Sequence, residues 1–132
     1  MVITRHLTPF KVFDGIPFSI SLDTLIANLG LPNRCRRNAA ALNEYDYGHS
    51  VYRFQDGGRL EEITRRTPVL QIGAVAVPFA ALGDFVRRQD AEAFERAGFL
   101  ISPAFGLAFV PEEPDWVTAL ARHCIPTWRA LA

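Results

Sequence analysis

From Leu42 to Arg66 the chain sets aromatic residues at a period of two, first Tyr45 and Tyr47, then Tyr52 and Phe54, with polar residues between them. Tyr47-Gly48-His49-Ser50 and Asp56-Gly57-Gly58 interrupt the pattern, and the second supplies the positive φ that a tight hairpin needs. The pattern predicts three consecutive antiparallel strands. A three-residue loop at 56–58 places Phe54 opposite Leu60 and Tyr52 opposite Glu62, an apolar pair just above the turn. Leu60 and Ile63 are both expected in the core, yet they stand an odd number of residues apart. A strict pleat would send them to opposite faces, so a bulge, or a sheet covered on both sides, is required.

Residues 2–20 alternate loosely around Asp14-Gly15, which predicts two short strands or a strand and a loop. Leu22, Leu25, Ile26 and Leu29 then form one helical stripe, with Ser21 as cap, Gly30 as terminator and Pro32 beyond it. Asn33 to Asn38 reads as a basic connector. Val69–Ile72 and Ala74–Val77 predict one or two further strands. Pro78 opens a second helix whose apolar face is Phe79, Leu82, Phe85 and Val86, and residues 91–97 could extend it by a turn or two. Phe99–Ser102 and Gly106–Val110 read as a second strand pair. After Pro111-Glu112-Glu113-Pro114, the positions of Trp116, Val117, Leu120, Ala121 and Cys124 fit a final helix ended by Pro126.

The expected architecture is one α+β domain over residues 1–132. A mainly antiparallel sheet, built on the meander 42–66, packs with helices near 22–29, 78–88 and 115–124. Phe54, Leu60, Ile63, Leu25, Leu29, Phe85 and Trp116 are the expected core. At 132 residues and 49% hydrophobic content the chain can enclose such a core.

The 14 basic and 14 acidic residues cancel. Generic nucleic-acid binding is therefore not expected, since it depends on a basic excess that releases phosphate counterions. No basic start followed by an apolar run marks an export signal. No uninterrupted apolar stretch reaches the roughly 18 residues that a membrane helix requires. Cys35 and Cys124 are expected as free thiols in a reducing cytoplasm.

Motifs of chemistry are sparse. The glycine-rich nucleotide loops, the Gly-x-Ser-x-Gly elbow and the His-Glu-x-x-His pair are all missing from the sequence. His123 and Cys124, adjacent in the expected helix, would point about 100° apart, so no metal and no cofactor are expected. Glu61 and Glu62, adjacent in a strand, would face opposite ways. Glu44 and Asp46 share a face and should meet Arg53 or Arg65 as cross-strand ion pairs. Cys35, flanked by Arg34, Arg36 and Arg37, is the best nucleophile on sequence grounds, because neighbouring cations lower a thiol pKa. A mixture of Tyr, Arg and carboxylates on an open sheet face suits protein recognition.

Leu22 to Pro32, followed by Glu44-Tyr-Asp-Tyr-Gly48 and Tyr52-Arg-Phe-Gln-Asp-Gly-Gly-Arg-Leu-Glu-Glu-Ile63, resembles the small cytoplasmic immunity proteins that bacteria encode beside polymorphic toxins. The likeness covers about a third of the chain. The same segment is similar to part of small outer-membrane assembly lipoproteins, but the signal peptide and lipid-bearing cysteine of those proteins have no counterpart. The resemblance implies a non-enzymatic protein that binds and occludes a cognate effector toxin, delivered by contact-dependent or type VI secretion. Its expected contact surface is Glu44, Asp46, Tyr47, Arg53, Glu62 and the loop residues Glu112, Glu113 and Asp115. Carboxylates there would suit a toxin with a cationic cleft. The alternatives are a small hydrolase or transferase using Cys35 or a pocket carboxylate, and a non-catalytic assembly adaptor. Oligomeric state is left open.

Overall fold

The conflict between Leu60 and Ile63 is resolved by a bulge. In the computed structural model, which describes residues 2–131, Phe54 pairs with Leu60 and Arg53 with Glu62, so Glu61 is an extra residue in its strand. Leu60 and Ile63 are both fully buried. The shift also moves Tyr52, which pairs with Ile63 rather than with Glu62. Below the bulge, Gln55 N and Gly58 N close the loop on Arg59 O and Gln55 O, and Gly58 takes φ 93°. That left-handed conformation is why glycine stands there.

The elements in chain order are β1 (Thr4–Thr8), β2 (Val12–Phe13), β3 (Ile16–Pro17), α1 (Leu22–Leu29), β4 (Arg34–Arg37), β5 (Asn43–Asp46), β6 (Ser50–Phe54) and β7 (Leu60–Arg66). They continue as β8 (Val69–Ile72), β9 (Val75–Pro78), α2 (Phe79–Gln89), β10 (Phe94–Arg96), β11 (Phe99–Ser102), β12 (Leu107–Phe109) and β13 (Trp116–Leu120). A 3₁₀ turn at Arg122–Cys124 leads into α3 (Ile125–Arg129). Two sheets result. One has five strands in the order β3-β2-β1-β8-β9, and the other has eight in the order β10-β11-β12-β13-β7-β6-β5-β4. All pairings are antiparallel except β1 with β8.

The two sheets share one core. Leu7, Phe13, Leu70 and Val77 of the smaller sheet meet Tyr52, Phe54, Ile63, Leu107 and Val117 of the larger, together with Leu25 of α1 and Leu82 and Val86 of α2. Asp14 joins the sheets at their margin, accepting from Arg5 of β1 at 3.0 Å and from Arg65 of β7 at 2.7 Å. Helix α1 matches its expected bounds. Ser21 Oγ accepts from Thr24 N at 3.1 Å, and Gly30 closes on Ile26 O.

Several expectations are corrected. Residues 116–120 form a strand where a helix was expected. Val117 and Ala119 enter the shared core, while Leu120 joins a second cluster with Ile101, Ala108, Ala121 and Cys124 on the outer face. A strand covered on both faces reads as a continuous apolar run, and such a run imitates a helical stripe. Pro126 stands in the first turn of α3, so it opens that helix where it was expected to end one. Arg34–Arg37 is an edge strand instead of a connector, held by cross-strand partners on β5. Residues 91–97 do not extend α2. The Asp90 carboxylate accepts from Glu92 N and turns the chain, and Phe94–Arg96 becomes a strand paired with β11. Pro78 sits just before α2, which starts at Phe79. Of the expected core, Leu29 is 42% exposed, and Phe85 and Trp116 are half-buried. Phe85 stacks on Phe105, and Trp116 lies beneath the Arg66 guanidinium. Among the described residues, no helix is long and apolar enough to cross a membrane.

Candidate functional site

The outer face of the larger sheet carries charge in register. Arg36, Glu44, Arg53 and Glu62 stand side by side across β4, β5, β6 and β7. Arg36 Nε and Arg53 Nε each donate at 2.7 Å to Glu44, one to each carboxylate oxygen. Arg53 also donates to Thr64 Oγ1 at 2.7 Å and approaches Glu62 at 3.5 Å. The row beside it begins with Arg34 and Asp46, 3.2 Å apart. Alternating charge across the ladder satisfies each partner and offsets the weak strand preference of these residues.

Glu44 is buried, and burial raises its pKa, but Arg53 and Arg36 outweigh that and hold it at about 2. Asp46 is held low by the Gly48 amide, against burial, with help from Arg34. Glu62 shifts the other way. Burial raises its pKa, with Glu44 and Glu61 adding to that, and Arg53 and Trp128 Nε1 offset only part of the rise.

Five of the eight expected contact residues lie on the meander, but Tyr47 does not share the carboxylate face. Its ring packs edge-on against Tyr52, 5.7 Å between centroids, and its hydroxyl donates to Gly30 O at 2.8 Å. Tyr45 likewise turns inward, against Phe54. The outer face is therefore one of arginine and carboxylate, without the expected tyrosines. Glu112 and Glu113 are exposed in the loop before β13, with Asp115 half-buried beside them. Glu62 pairs with Leu120 at the far end of β13 from that loop. The four-residue separation is about 13 Å along the strand, so loop and ladder form two patches.

Cys35 is exposed on edge strand β4. The arginines on either side of it are engaged with Asp46 and Glu44. The groups that do converge are others. A cavity of about 280 Å³ opens where the 38–42 turn, β7 and the C-terminal turn meet, and Glu61, Glu62, His123, Cys124 and Trp128 line it. The bulge turns Glu61 outward beside Glu62, and both carboxylates reach this space. His123 Nε2 contacts Glu61 Oε2, and Cys124 Sγ lies 3.7 Å from the same oxygen. Trp128 Nε1 donates to Glu62 Oε2 at 3.2 Å while its ring meets Phe99 edge-on. The Cys124 thiol is pushed up to about 12 by burial and by the charges of Glu61 and Glu62.

The divergence expected of Glu61 from Glu62, and of His123 from Cys124, assumed a regular strand and a regular helix. The bulge removes the first; a 3₁₀ turn still sets neighbours about 120° apart, and His123 and Cys124 converge because both reach the same Glu61 oxygen. The odd spacing of Leu60 and Ile63 was the signal that could have located the carboxylate pair, because an inserted residue between them places two successive side chains on one face. No protein-family model matches the chain, and comparison with curated proteins and with solved structures returns no significant match.

Proposed function

We propose that the chain is an immunity protein, a non-catalytic cytoplasmic inhibitor that binds a cognate bacterial effector toxin and occludes its active site. The observation that supports this reading is the in-register ladder Arg36–Glu44–Arg53–Glu62 on the outer sheet face, largely buried along its centre and exposed at its Arg36 edge. Its side chains already hold one another, so little rotamer freedom is lost when a partner docks. Fixed charges of both signs favour one complementary surface and penalise others. The carboxylates of the ladder are engaged from within, while the Arg34, Arg36 and Arg37 side chains at the edge are 62%, 59% and 49% exposed. The toxin therefore meets guanidinium groups first and offers them carboxylate or carbonyl acceptors. That replaces the expectation of a cationic cleft.

Co-expression tests the proposal. Cells carrying the toxin encoded beside this chain die alone and survive with it, and the two proteins co-purify at equal stoichiometry. A harmless neighbouring gene, or a pair that never co-purifies, overturns the reading in favour of an assembly adaptor.

The enzyme reading has one observation behind it, the convergence of Glu61, His123 and Cys124 at a cavity. The same burial keeps the Cys124 thiol protonated, and a thiol is a poor nucleophile. A thiol-directed reagent under native conditions is accordingly expected to label exposed Cys35 and spare Cys124.

A further inference from the structure

We infer that Glu61, His123 and Cys124 form a three-ligand site for a zinc-class divalent cation, with the remaining coordination position opening into the cavity. Each residue offers one donor atom, and the three atoms lie within 4.8 Å of one another. Tetrahedral zinc places its ligands at about 2.0 to 2.3 Å, so atoms converging this closely need only small side-chain rotations to enclose it. Imidazole, thiolate and carboxylate together suit zinc or cobalt. They do not suit magnesium or calcium, which take oxygen ligands.

The donors come from two elements that the backbone locks together. Ala121 N donates to Glu61 O at 2.9 Å, which fixes the start of the 3₁₀ turn against the bulge. Arg59 donates to Glu61 Oε1 at 3.3 Å, leaving Oε2 for the side occupied by His123 and Cys124. Such outer partners orient a ligating carboxylate. Cys124 Sγ lies 3.6 Å from Glu61 O and 3.7 Å from Oε2, which places the sulfur beside the ligating carboxylate. A cation binding there displaces the Cys124 thiol proton, which leaves to solvent, and thiolate plus carboxylate then balance its double charge. His123 closes the site from the exposed side, its side chain 41% accessible, while Glu61 and Cys124 close it from within. The open position faces the cavity that Gln55, Thr127 and Trp128 help to line.

The test uses chelator-treated full-length protein titrated with cobalt(II), without any toxin present, so its outcome is independent of the immunity reading. One equivalent is expected to bind, with a thiolate-to-cobalt charge-transfer band and the ligand-field bands of four-coordinate cobalt. Cys124→Ser removes the charge-transfer band and Cys35→Ser leaves it. Loss of an outer partner typically weakens metal sites about 10- to 100-fold, so Arg59→Ala falls in that range and His123→Ala or Glu61→Gln beyond it. The proposal is overturned if the wild-type protein gives no band at one equivalent, or if Cys35→Ser is the variant that loses it. Should Cys124→Ser fail to fold by circular dichroism, exposed His123→Ala decides, and unchanged cobalt affinity in that variant overturns the site.

Discussion

Arg53 Nε donates to Glu44 Oε2 at 2.7 Å beneath the outer face, and Glu44 is only 6% exposed where this happens. The pair is the middle of the charge ladder, so removing one member leaves the other without its main partner. Glu44→Ala is expected to cost about 3 kcal/mol, the usual consequence of breaking a buried pair from one side. Glu44→Gln, which keeps the shape and one acceptor, costs about 1 to 2 kcal/mol. Urea unfolding followed by circular dichroism measures both. A loss under about 0.5 kcal/mol for the alanine variant would place Glu44 among ordinary surface charges.

Acid stability should carry the signature of the same residue. Glu44 has a folded pKa of about 2 against an ordinary 4.5, so the folded state holds its proton less tightly than the unfolded state. Its contribution is complete above about pH 4.5 and disappears as the pH falls toward 2. The melting temperature of the wild-type protein should drop across that interval, and Glu44→Gln should flatten the drop.

Glu62 predicts the opposite slope. Its folded pKa lies above the ordinary 4.5, chiefly through burial, so stability decreases as pH rises from 4.5 through the raised value. Glu62→Gln removes the buried charge and still offers an oxygen to Trp128. The variant is expected to melt above wild type at pH 7, with the difference shrinking as the pH falls to 4.5. A glutamine variant less stable at pH 7 would show that the pairing of Glu62 with Arg53 outweighs its burial.

Gly106 has φ 65°, and a Cβ there would stand 2.8 Å from Cε1 of the Phe10 ring and 3.2 Å from Leu120 O. Gly106→Ala combines a left-handed penalty of about 1 kcal/mol or more with that collision, giving an expected loss of about 2 to 4 kcal/mol. Adding Phe10→Leu should recover the part due to the ring and leave the backbone part. If the double variant is no more stable than Gly106→Ala alone, the ring is not the obstacle.

The strands that alternate cleanly were legible. Tyr52 and Phe54 point to one face at period two, and β5, β6 and β7 follow from them. Leu22 to Leu29 was legible for a related reason, because local capping by Ser21 and Gly30 agrees with its stripe. Trp116 to Leu120 was not, since burial on both faces erases the period on which the reading depends. The arginines of β4 were obscured because their partners, Glu44 and Asp46, come from another strand, and single-sequence preference cannot register them. The cavity residues escaped for a third reason. Glu61 and His123 are 62 positions apart and meet only through one inserted residue and one 3₁₀ turn.

If the ladder is the toxin-binding face, its exposed edge carries affinity and little stability. Arg34 and Arg37 make surface pairs with Asp46 and Asp56, and pairs held in solvent add little to the fold. Arg34→Ala with Arg37→Ala should therefore melt close to wild type while weakening toxin binding at least about 10-fold, about 1.4 kcal/mol. Glu112→Gln with Glu113→Gln, in the separate loop patch, should bind as wild type. Calorimetric titration of the complex reads both, and the reverse pattern would move the interface to the loop.

The parallel pairing of β1 with β8 joins Thr4 to Val69 and Leu7 to Ile72. Every other contact of β1 within its sheet is local, to β2. Closing a loop of this length has an entropic cost that grows only slowly with length, but it delays the contact, because the intervening chain must first be present and ordered. During synthesis the opening strand emerges early and stays without its central neighbour until β8 has left the ribosome. The eight-stranded sheet is no quicker to finish, since β7 waits for β13. The order of assembly is thus written into the topology. The β5–β6–β7 meander, whose pairings with one another are all local, is able to form early, and β13 docks onto its β7 edge afterwards.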